Sequence, residues 1–409
     1  MEYDDSDRAE AVAARVHEFV DEVVIPAERE LLGEGSIADA ELTALRDEAR
    51  ERDVYAPQVS TDYGGMGMDF RDVLPSFEAA GRSLLGPPAI RVDAPDEGNM
   101  HTFELVATEE QKDEWLRPLV DGAICSGFCM TEPMQGGGSD PKMIRTEARK
   151  EGDEWVVDGH KWWTTNGVEA DVLLVMARTD FDAHPYSGCS IILVPADTPG
   201  VEIERGIPHM ADDQLGTSHA EIRFRDVRVP AENLLGEENE GFTIAQQRLG
   251  PARLTHCMRY SGMAQRALDV AKAYATKREA FGSPIADKQG VRFAVAEAET
   301  ELHAARCAVR HAADRIAAGE AARIEVSMSK LYTSNVVQDA IDTAMQLCGA
   351  NGIGKDLPLA DFYQNVRQFR FVDGADEVHK RVIARDAFSA VDETELSNVT
   401  RYRGAFRDG

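Results

Sequence analysis

Basic residues are scarce in this chain of 409 residues, which holds 44 Lys and Arg against 73 Asp and Glu, a formal net charge of −29. Phosphate backbones and anionic lipid surfaces would repel a protein this acidic, which argues against nucleic-acid binding and membrane docking as main roles. The acidic residues are spread along the chain and are not gathered in a tail. We therefore expect a solvated acidic surface suited to a cytoplasm of high salt concentration.

Long apolar runs are missing too, and the acidic start of the chain has no basic segment followed by an apolar one. The sequence therefore predicts neither a membrane span nor a secretion signal. Cysteine is sparse, with six scattered residues in mostly apolar surroundings. Cys125 and Cys129 are four positions apart, but no second pair and no histidine at ligand spacing accompanies them. The pattern favours buried free thiols in a reducing compartment, the cytoplasm, and predicts no metal site.

Hydrophobic periodicity divides the chain into three zones. Residues 1–122 place apolar side chains at helical spacing, as in "RAEAVAARVHEFVDEVV". Residues 123–238 are β-branched and partly alternating, with a hairpin signal around "EGDE" and prolines at strand ends. Residues 239–409 return to the helical period in long Ala-rich segments. This order predicts a mostly α-helical protein with an N-terminal helical domain, a middle β-barrel or β-sandwich domain and a C-terminal four-helix bundle.

Two motifs of the middle zone could bind a flat polar ring. "FCMTEPMQGGGSD" (residues 128–140) begins as a strand and opens into a glycine-rich loop whose N–H groups and hydroxyls could hold such a ring or a phosphate. "DGHKWWTTNG" (158–167) has two adjacent tryptophans, which a regular strand would point to opposite faces, one of them into the core. Composition alone favours plainer interpretations, namely a flexible connection and two tryptophans packed within a sheet or between domains.

The order of several motifs narrows the interpretation. "MTEP…GSD", "GHKWWTTN", "GFTIAQQRLGPAR", "KREAFGSPI", "QLCGANGI" and "DGADEVH" follow one another over nearly the whole chain. Together they resemble the acyl-CoA dehydrogenase family. The residues of these motifs are most similar to those of a subgroup whose vertebrate members carry an extra N-terminal kinase-like domain, which this sequence lacks.

The resemblance implies FAD as cofactor, at the junction of the middle and C-terminal domains. One set of implied cofactor residues lies in the two middle-zone motifs and around the proposed base: Phe128, Met130, Thr131, Ser139, Trp163, Thr165, Gly374 and Glu377. A second set lies in the C-terminal zone, where Arg278 would meet the pyrophosphate: Arg278, Phe281, Gln289, Gln346, Gly349 and Ala350. The last three of these resemble a segment that a neighbouring subunit lends to the flavin. The resemblance therefore also implies a homo-oligomer, usually a tetramer in this family.

Asp373, in "FRFVDGADEVH", matches the catalytic carboxylate of the family. Removing a weakly acidic proton beside a thioester needs a desolvated base, and Phe369, Phe371 and Val372 would supply apolar walls. The pattern alone favours a different role, a helix N-cap with Asp376 and Glu377 in the first turn. Some relatives carry their base on an earlier helix, but the matching residue here is Ala252, which cannot accept a proton.

Two residues are implied to contact the substrate, Ser139 in the first loop and Arg253 in "GPAR". The chain departs from the common pattern where the first loop is two residues longer and where Gly250 replaces an aspartate. Two residues near the cofactor also depart, since Ala375 and Glu377 stand where threonine and glutamine are often found. Histidine is a possible acid–base group, but His256 is expected to be packed and His379 to lie on a helix face.

Three functions follow from these observations. The first is an FAD-dependent acyl-CoA dehydrogenase that passes electrons to an electron-transferring flavoprotein. The second keeps the fold but oxidises nitroalkanes or uses oxygen directly. The third is a non-catalytic assembly partner of the same fold, against which the retained Asp373, Arg278 and paired tryptophans argue. The length, branching and hydroxylation of an acyl group are not encoded in any of these motifs.

Overall fold

Helices precede and follow a central β-domain. The computed structural model describes residues 4–30, 37–138, 140–211, 218–389 and 391. The first described helices are Asp7–Phe19 (α1), Ile25–Glu30 (α2), Asp39–Glu51 (α3), Phe70–Ala80 (α4), Gly86–Ala89 (α5), Asp96–Val106 (α6), Glu109–Gln111 (α7) and Arg117–Asp121 (α8). In α1 the buried residues recur at helical spacing, and the Ser6 side chain caps its first turn by accepting from the Ala9 N–H.

The central domain is a mixed sheet. Its strands are Ser126–Cys129 (β1), Glu147–Glu151 (β2), Glu154–Thr165 (β3), Val172–Arg178 (β4), Cys189–Pro195 (β5), Val201–Gly206 (β6), His219–Pro230 (β7) and Leu234–Leu235 (β8). The strand order is β6-β7-β3-β2-β4-β5-β8, and β1 pairs with β4 in parallel. The predicted hairpin is confirmed, since β2 and β3 pair antiparallel up to Glu151 opposite Glu154, with Gly152 at φ +65° in the turn.

The C-terminal part is the expected helical bundle. Its helices are Gly241–Lys277 (α9), Gln289–Ala317 (α10), Arg323–Cys348 (α11), Leu359–Arg367 (α12) and Asp376–Ser389 (α13). The buried stripe of α10 shows why it packs, because Ala298, Leu302, Ala305, Val309 and Ala312 alternate steps of four and three residues along one face. The predicted three-part architecture, mostly helical with a central β-domain, is confirmed.

The N-terminal helices dock on α9 through two glycines. A Cβ on Gly262 of α9 would lie 1.9 Å from the carbonyl oxygen of Glu78, and a Cβ on Gly81 would lie 2.0 Å from that of Arg259. No larger residue fits either position without moving the backbone. This close approach fixes the middle of α9, which carries the site described below, against the N-terminal helices.

The composition predicts no membrane span and six free cysteines. Among the residues that the structure describes, none of the helices is long and apolar enough to span a membrane. All six cysteines are free thiols; Cys125 and Cys307 are half-buried and the other four are buried.

Candidate active site

The two middle-zone motifs lie side by side. The N–H of Trp162 donates to the carbonyl oxygen of Thr131 at 3.0 Å, and Nζ of Lys161 donates to the carbonyl oxygen of Met130 at 3.0 Å. The start of the first loop is thereby attached to the tryptophan pair of β3. Sequence reasoning expected both segments at one cofactor, and the structure brings them together.

Glu132 organises the glycine-rich loop, a role that sequence reasoning missed. Its carboxylate is buried and accepts from the backbone N–H groups of Gly137, Arg145 and Thr146 at 3.2, 2.7 and 2.9 Å. Lys161, also buried, pairs with it at 2.9 Å. The loop is therefore folded around one charged pair and is not the flexible connection that its composition favoured.

The two tryptophans do not alternate as on a regular strand. The register between β3 and β7 shifts between Lys161 and Thr164, and Trp163 has a positive φ of 56°. This bulge points Lys161 and Thr164 inward, while Trp163 remains 43% exposed and Trp162 half-buried. The expectation that one tryptophan lies in the core is therefore wrong. Trp163 instead presents a ring at the surface beside the first loop.

Thr165 and Phe128 complete this edge of the β-domain. The Thr165 hydroxyl lies 3.2 Å from Nδ1 of His219, whose ring meets that of Trp163 edge-on at 5.6 Å. Phe128 is half-buried in β1 beneath the guanidinium of Arg248, 4.3 Å from the ring centroid. Ser139, predicted for both cofactor and substrate, lies outside the described residues.

Asp373 occupies a constrained backbone position immediately before α13. Its φ is +56°, and that of Gly374 is +103°, a region that strongly favours glycine. A Cβ on Gly374 would also lie 2.9 Å from Nε2 of His379. Arg253 holds the turn by donating from Nε to the Asp373 carbonyl oxygen at 2.8 Å, and Lys330 donates to the Gly374 carbonyl oxygen at 2.8 Å.

The carboxylate of Asp373 is enclosed but has a free oxygen. Its side chain is 11% exposed, and Oδ2 is buried without a hydrogen bond from any described residue. Nδ1 of His256 lies 3.2 Å from Oδ2, and that nitrogen lies 2.7 Å from the Ala252 carbonyl oxygen. A carbonyl oxygen can only accept, so Nδ1 carries the ring proton. The unbonded Oδ2 is therefore available to take up a proton.

The charges around Asp373 keep it ionised. Burial opposes its ionisation, but the positive charges of His256, Arg253, Arg248 and Lys330 outweigh burial and hold the pKa of the carboxyl below its ordinary value. Burial lowers the pKa of His256 itself to about 4. At neutral pH His256 is thus uncharged, which leaves Arg253, Arg248 and Lys330 as the cations that act on the carboxylate.

The structure rules out the capping role of Asp373. Helix α13 begins at Asp376, and the Asp373 carboxylate accepts from no helix N–H among the described residues. Asp376 does lie in the first turn, yet its carboxylate is buried and accepts from Ser334 at 3.0 Å, Asn335 at 3.1 Å and Arg370 at 2.9 Å. It therefore ties α13 to α11, a role that its position in the sequence did not indicate.

Two expectations about the surroundings of Asp373 are wrong. Phe371 is 58% exposed and forms no apolar wall, and the environment is cationic enough to lower the pKa of Asp373 instead of raising it. His379 lies on α13 as expected, but its ring is buried against Gly374. His256 is buried as expected, with its ring stacked on Phe369 at 6.0 Å, but it also adjoins the base.

The second set of predicted cofactor residues lies on the surface of the chain. All six are exposed, and Phe281 is 99% exposed: Arg278, Phe281, Gln289, Gln346, Gly349 and Ala350. The segment around Gly349 adjoins the end of α9, since Asn351 donates to the Tyr274 hydroxyl at 3.2 Å. Glu377 is exposed as well. The structure does not gather this set around Asp373 of the same chain.

Comparison with known proteins gives the family of the chain. Residues 6–123, 127–227 and 239–388 match the acyl-CoA dehydrogenase N-terminal, middle and C-terminal domains, respectively. The chain belongs to the acyl-CoA dehydrogenase family. It is therefore an oxidoreductase of a flavoprotein family whose members use FAD.

Three members of the acyl-CoA dehydrogenase family are similar to the chain over most of its length. It is 41% identical over 362 residues to the probable acyl-CoA dehydrogenase FadE2 of Mycobacterium tuberculosis, covering 87% of this chain and 88% of that one. It is 35% identical to acyl-CoA dehydrogenase family member 11 of Gallus gallus, covering 93% of this chain but 50% of the relative. A Mycobacterium smegmatis glutaryl-CoA dehydrogenase in complex with FADH2 has a TM-score of 0.83 at 25% identity, covering 95% and 96%.

The residues of the β-domain edge fit a flavin. Thr131 and Thr165 offer hydroxyls near the exposed ring of Trp163. Trp163 itself lies on a bulge, where the backbone departs from regular strand geometry. The exposed guanidinium of Arg278 donates no hydrogen bond to any described side chain, which leaves its planar fork available for phosphate oxygens. Trp163, Thr165, Thr131 and Phe128 would hold the ring, and Arg278 the pyrophosphate.

Proposed function

We propose that this acyl-CoA dehydrogenase family member introduces a trans double bond between the α and β carbons of an acyl-CoA thioester. The observation that carries the proposal is the free, buried Oδ2 of Asp373 among neighbouring cations. Such an oxygen is ionised at neutral pH, shielded from bulk water and without another proton donor. These are the properties that a base for a weakly acidic C–H bond requires.

Asp373 takes the α-proton on Oδ2. Arg253 fixes the backbone of the base through its carbonyl, and the positive φ of Gly374 lets the chain turn at once into α13. The two C–H bonds of the substrate break together with loss of a proton and a hydride, which leaves the enoyl thioester. FAD, when bound, supplies the acceptor for the β-hydride at its N5 atom.

The exposed second set of residues supports a homo-oligomer. Arg253 and Lys277 lie 24 residues apart on the continuous helix α9, which corresponds to about 36 Å along its axis. That span is longer than the stretch from a flavin ring to its pyrophosphate. Arg278 therefore serves the flavin of another copy of the chain, together with Gln346, Gly349 and Ala350. We further propose that an electron-transferring flavoprotein reoxidises the bound flavin.

The test is the variant Asp373→Asn, assayed by bleaching of the enzyme-bound flavin with acyl-CoA under anaerobic conditions. We expect the variant to bind FAD normally and to lose at least about a thousandfold of the bleaching rate, because an amide cannot take up the α-proton. Asp386→Asn, which changes an exposed carboxylate on α13, is the matched control and should bleach like the unmodified protein.

The outcome that contradicts the proposal is normal bleaching by Asp373→Asn. Oxygen consumption with a nitroalkane and no CoA ester would favour the oxidase function over the dehydrogenase. A purified protein that takes up no FAD would favour the non-catalytic assembly partner.

A further inference from the structure

His219 lies directly opposite Thr165 on the neighbouring strand. Strands β3 and β7 pair antiparallel, and the next pair along them is Thr164 opposite Ala220. Both of those residues are buried in the core, so the alternation of strand side chains points Thr165 and His219 to the other face of the sheet. There the Thr165 hydroxyl lies 3.2 Å from Nδ1 of His219. The two residues therefore form a polar cross-strand pair.

The ring of His219 is held in place from two sides. It is 9% exposed, and it meets the ring of Trp163 edge-on at 5.6 Å and that of His209 edge-on at 4.8 Å. Its strand is fixed as well, because the carbonyl oxygen of His219 accepts from the Ile207 N–H at 2.7 Å. This packing keeps Nδ1 directed at the Thr165 hydroxyl.

The proton on His219 decides what Thr165 can offer to a ligand. A threonine hydroxyl has one hydrogen and two acceptor lone pairs. If Nδ1 accepts that hydrogen, Thr165 can only accept a hydrogen bond from the ligand. If Nδ1 carries the ring proton and donates it, the hydroxyl hydrogen is left for the ligand.

An oxidised flavin ring favours the second arrangement. Its polar edge consists of two carbonyl oxygens, unprotonated ring nitrogens and a single N–H group, so most of its positions accept hydrogen bonds. A hydroxyl hydrogen directed at this edge therefore meets an acceptor at most positions. Donation from Nδ1 also strengthens the next hydrogen bond, because successive hydrogen bonds polarise one another.

We propose that His219 is a positioning residue for the flavin: it donates from Nδ1 to the Thr165 hydroxyl and so directs the hydroxyl hydrogen at the flavin ring. This inference rests on the flavin site that accompanies the proposed function. It adds a residue that none of the sequence motifs indicated. Without His219 the hydroxyl rotates freely and loses part of its hydrogen bond to the ring.

The experiment is a double-mutant cycle on FAD binding. Apoprotein of His219→Leu, of Thr165→Val and of the variant with both changes is titrated with FAD. We expect each single change to raise the Kd for FAD roughly threefold to tenfold, the effect of one hydrogen bond. The double variant should bind FAD no more weakly than Thr165→Val, because His219 acts through the hydroxyl that this variant lacks.

A conservative variant and a matched control accompany the cycle. His219→Asn places a side-chain amide near the position of Nδ1 and should restore most of the affinity for FAD. His160→Leu removes the other histidine of β3 and β7, whose Nε2 lies 2.9 Å from Oε1 of Glu221, and should leave the Kd unchanged. Urea unfolding is measured for every variant, so that only folded proteins are compared.

The midpoint potential of the bound flavin gives a second readout, which needs no acyl-CoA. Reduction changes the electron density of the ring and hence the strength of its hydrogen bonds. The potential should therefore shift in the same direction and by the same amount in His219→Leu and Thr165→Val. The double variant should shift no further, and His219→Asn should stay close to the unmodified protein.

Two results would overturn the inference. One is a full-sized effect of His219→Leu in a protein that already carries Thr165→Val, since His219 would then act through Trp163 or through the fold. The other is an unchanged Kd and potential in a folded His219→Leu. Failure of the proposed function looks different, because acyl-CoA would then fail to bleach the unmodified FAD-loaded protein while the cycle still gave the expected coupling.

Discussion

The properties of Asp373 as the proposed base depend on four neighbours. Arg253 and Lys330 bind the carbonyl oxygens of Asp373 and Gly374, and so fix the backbone while leaving the carboxylate free. Arg248 adds positive charge, and His256 closes one side of the carboxylate without donating a proton to it. Neighbouring charges favour the ionisation of Asp373, and apolar walls do not, so the proposed base is charged and dehydrated at the same time.

The two buried histidines predict a loss of stability in mild acid. Burial lowers the pKa of His256 and of His379 to about 4, below the ordinary 6.5. As the pH falls below 6.5 the unfolded chain binds protons that the folded chain excludes until about pH 4. Stability is therefore full above pH 6.5 and declines towards pH 4, by roughly 3 kcal/mol for each histidine.

The measurement is the free energy of urea unfolding between pH 7.5 and 4. His256→Gln and His379→Gln should each make the free energy of unfolding depend less on pH, even where absolute stability also changes. His303→Gln, an exposed histidine on α10, should leave the slope unchanged. Equal slopes in all four proteins would contradict the assignment of these pKa values.

At the scale of elements, the bulge in β3 and the loop after β1 form one unit. The bulge turns Lys161 inward, and there it meets Glu132, whose carboxylate gathers the backbone of the glycine-rich loop. The bulge and the loop depend on each other, because the loss of either Lys161 or Glu132 would leave the other charge buried and unpaired. The exposed Trp163 results from the same shift in register.

Glu132→Gln should therefore destabilise the protein and weaken FAD binding. Leaving Lys161 buried and unpaired costs about 3–5 kcal/mol. The double variant Glu132→Gln with Lys161→Met removes the unpaired charge and should recover part of that stability. Urea unfolding and FAD titration of the apoprotein measure both effects. A single variant with unchanged unfolding and an unchanged Kd for FAD would contradict the role of this pair.

At the scale of the whole molecule, the proposed site for one flavin combines residues from two copies of the chain. The base and the loop residues lie at one end of α9, and Arg278 lies at the other beside the Asn351 segment. A site shared between two copies requires that these residues be exposed in each single chain. The large exposed side chain of Phe281 belongs to the same surface.

Mixed oligomers test this arrangement. Thr131→Trp blocks a site through the chain's own loop, and Ala350→Trp blocks a site through the segment lent to a partner. Each variant alone should retain almost no FAD. After mixing, unfolding and refolding together, a dimer with one copy of each has one intact and one doubly blocked site. We expect up to about a quarter of normal FAD content, since half the dimers are mixed.

Absorbance of bound FAD per chain is the readout. Refolded unmodified protein is the control for recovery, and each variant refolded alone is the baseline. No gain in FAD content above that baseline would contradict sites shared between copies.

The order of periodicities and the motifs of this chain suffice for the three-part fold, because helix and strand periods depend on near neighbours. They also suffice for the family, FAD and Asp373 as the candidate base. Periodicity and motifs did not predict the bulge at Trp163, the Glu132–Lys161 pair, the cations around Asp373 or the contacts of Arg248. Each joins residues far apart in the chain, such as Arg248 with Asn99 and Phe128, and their proximity exists only after the domains pack. The sequence alone therefore determined the architecture and the candidate base, and tertiary packing decided the electrostatic environment in which that base lies.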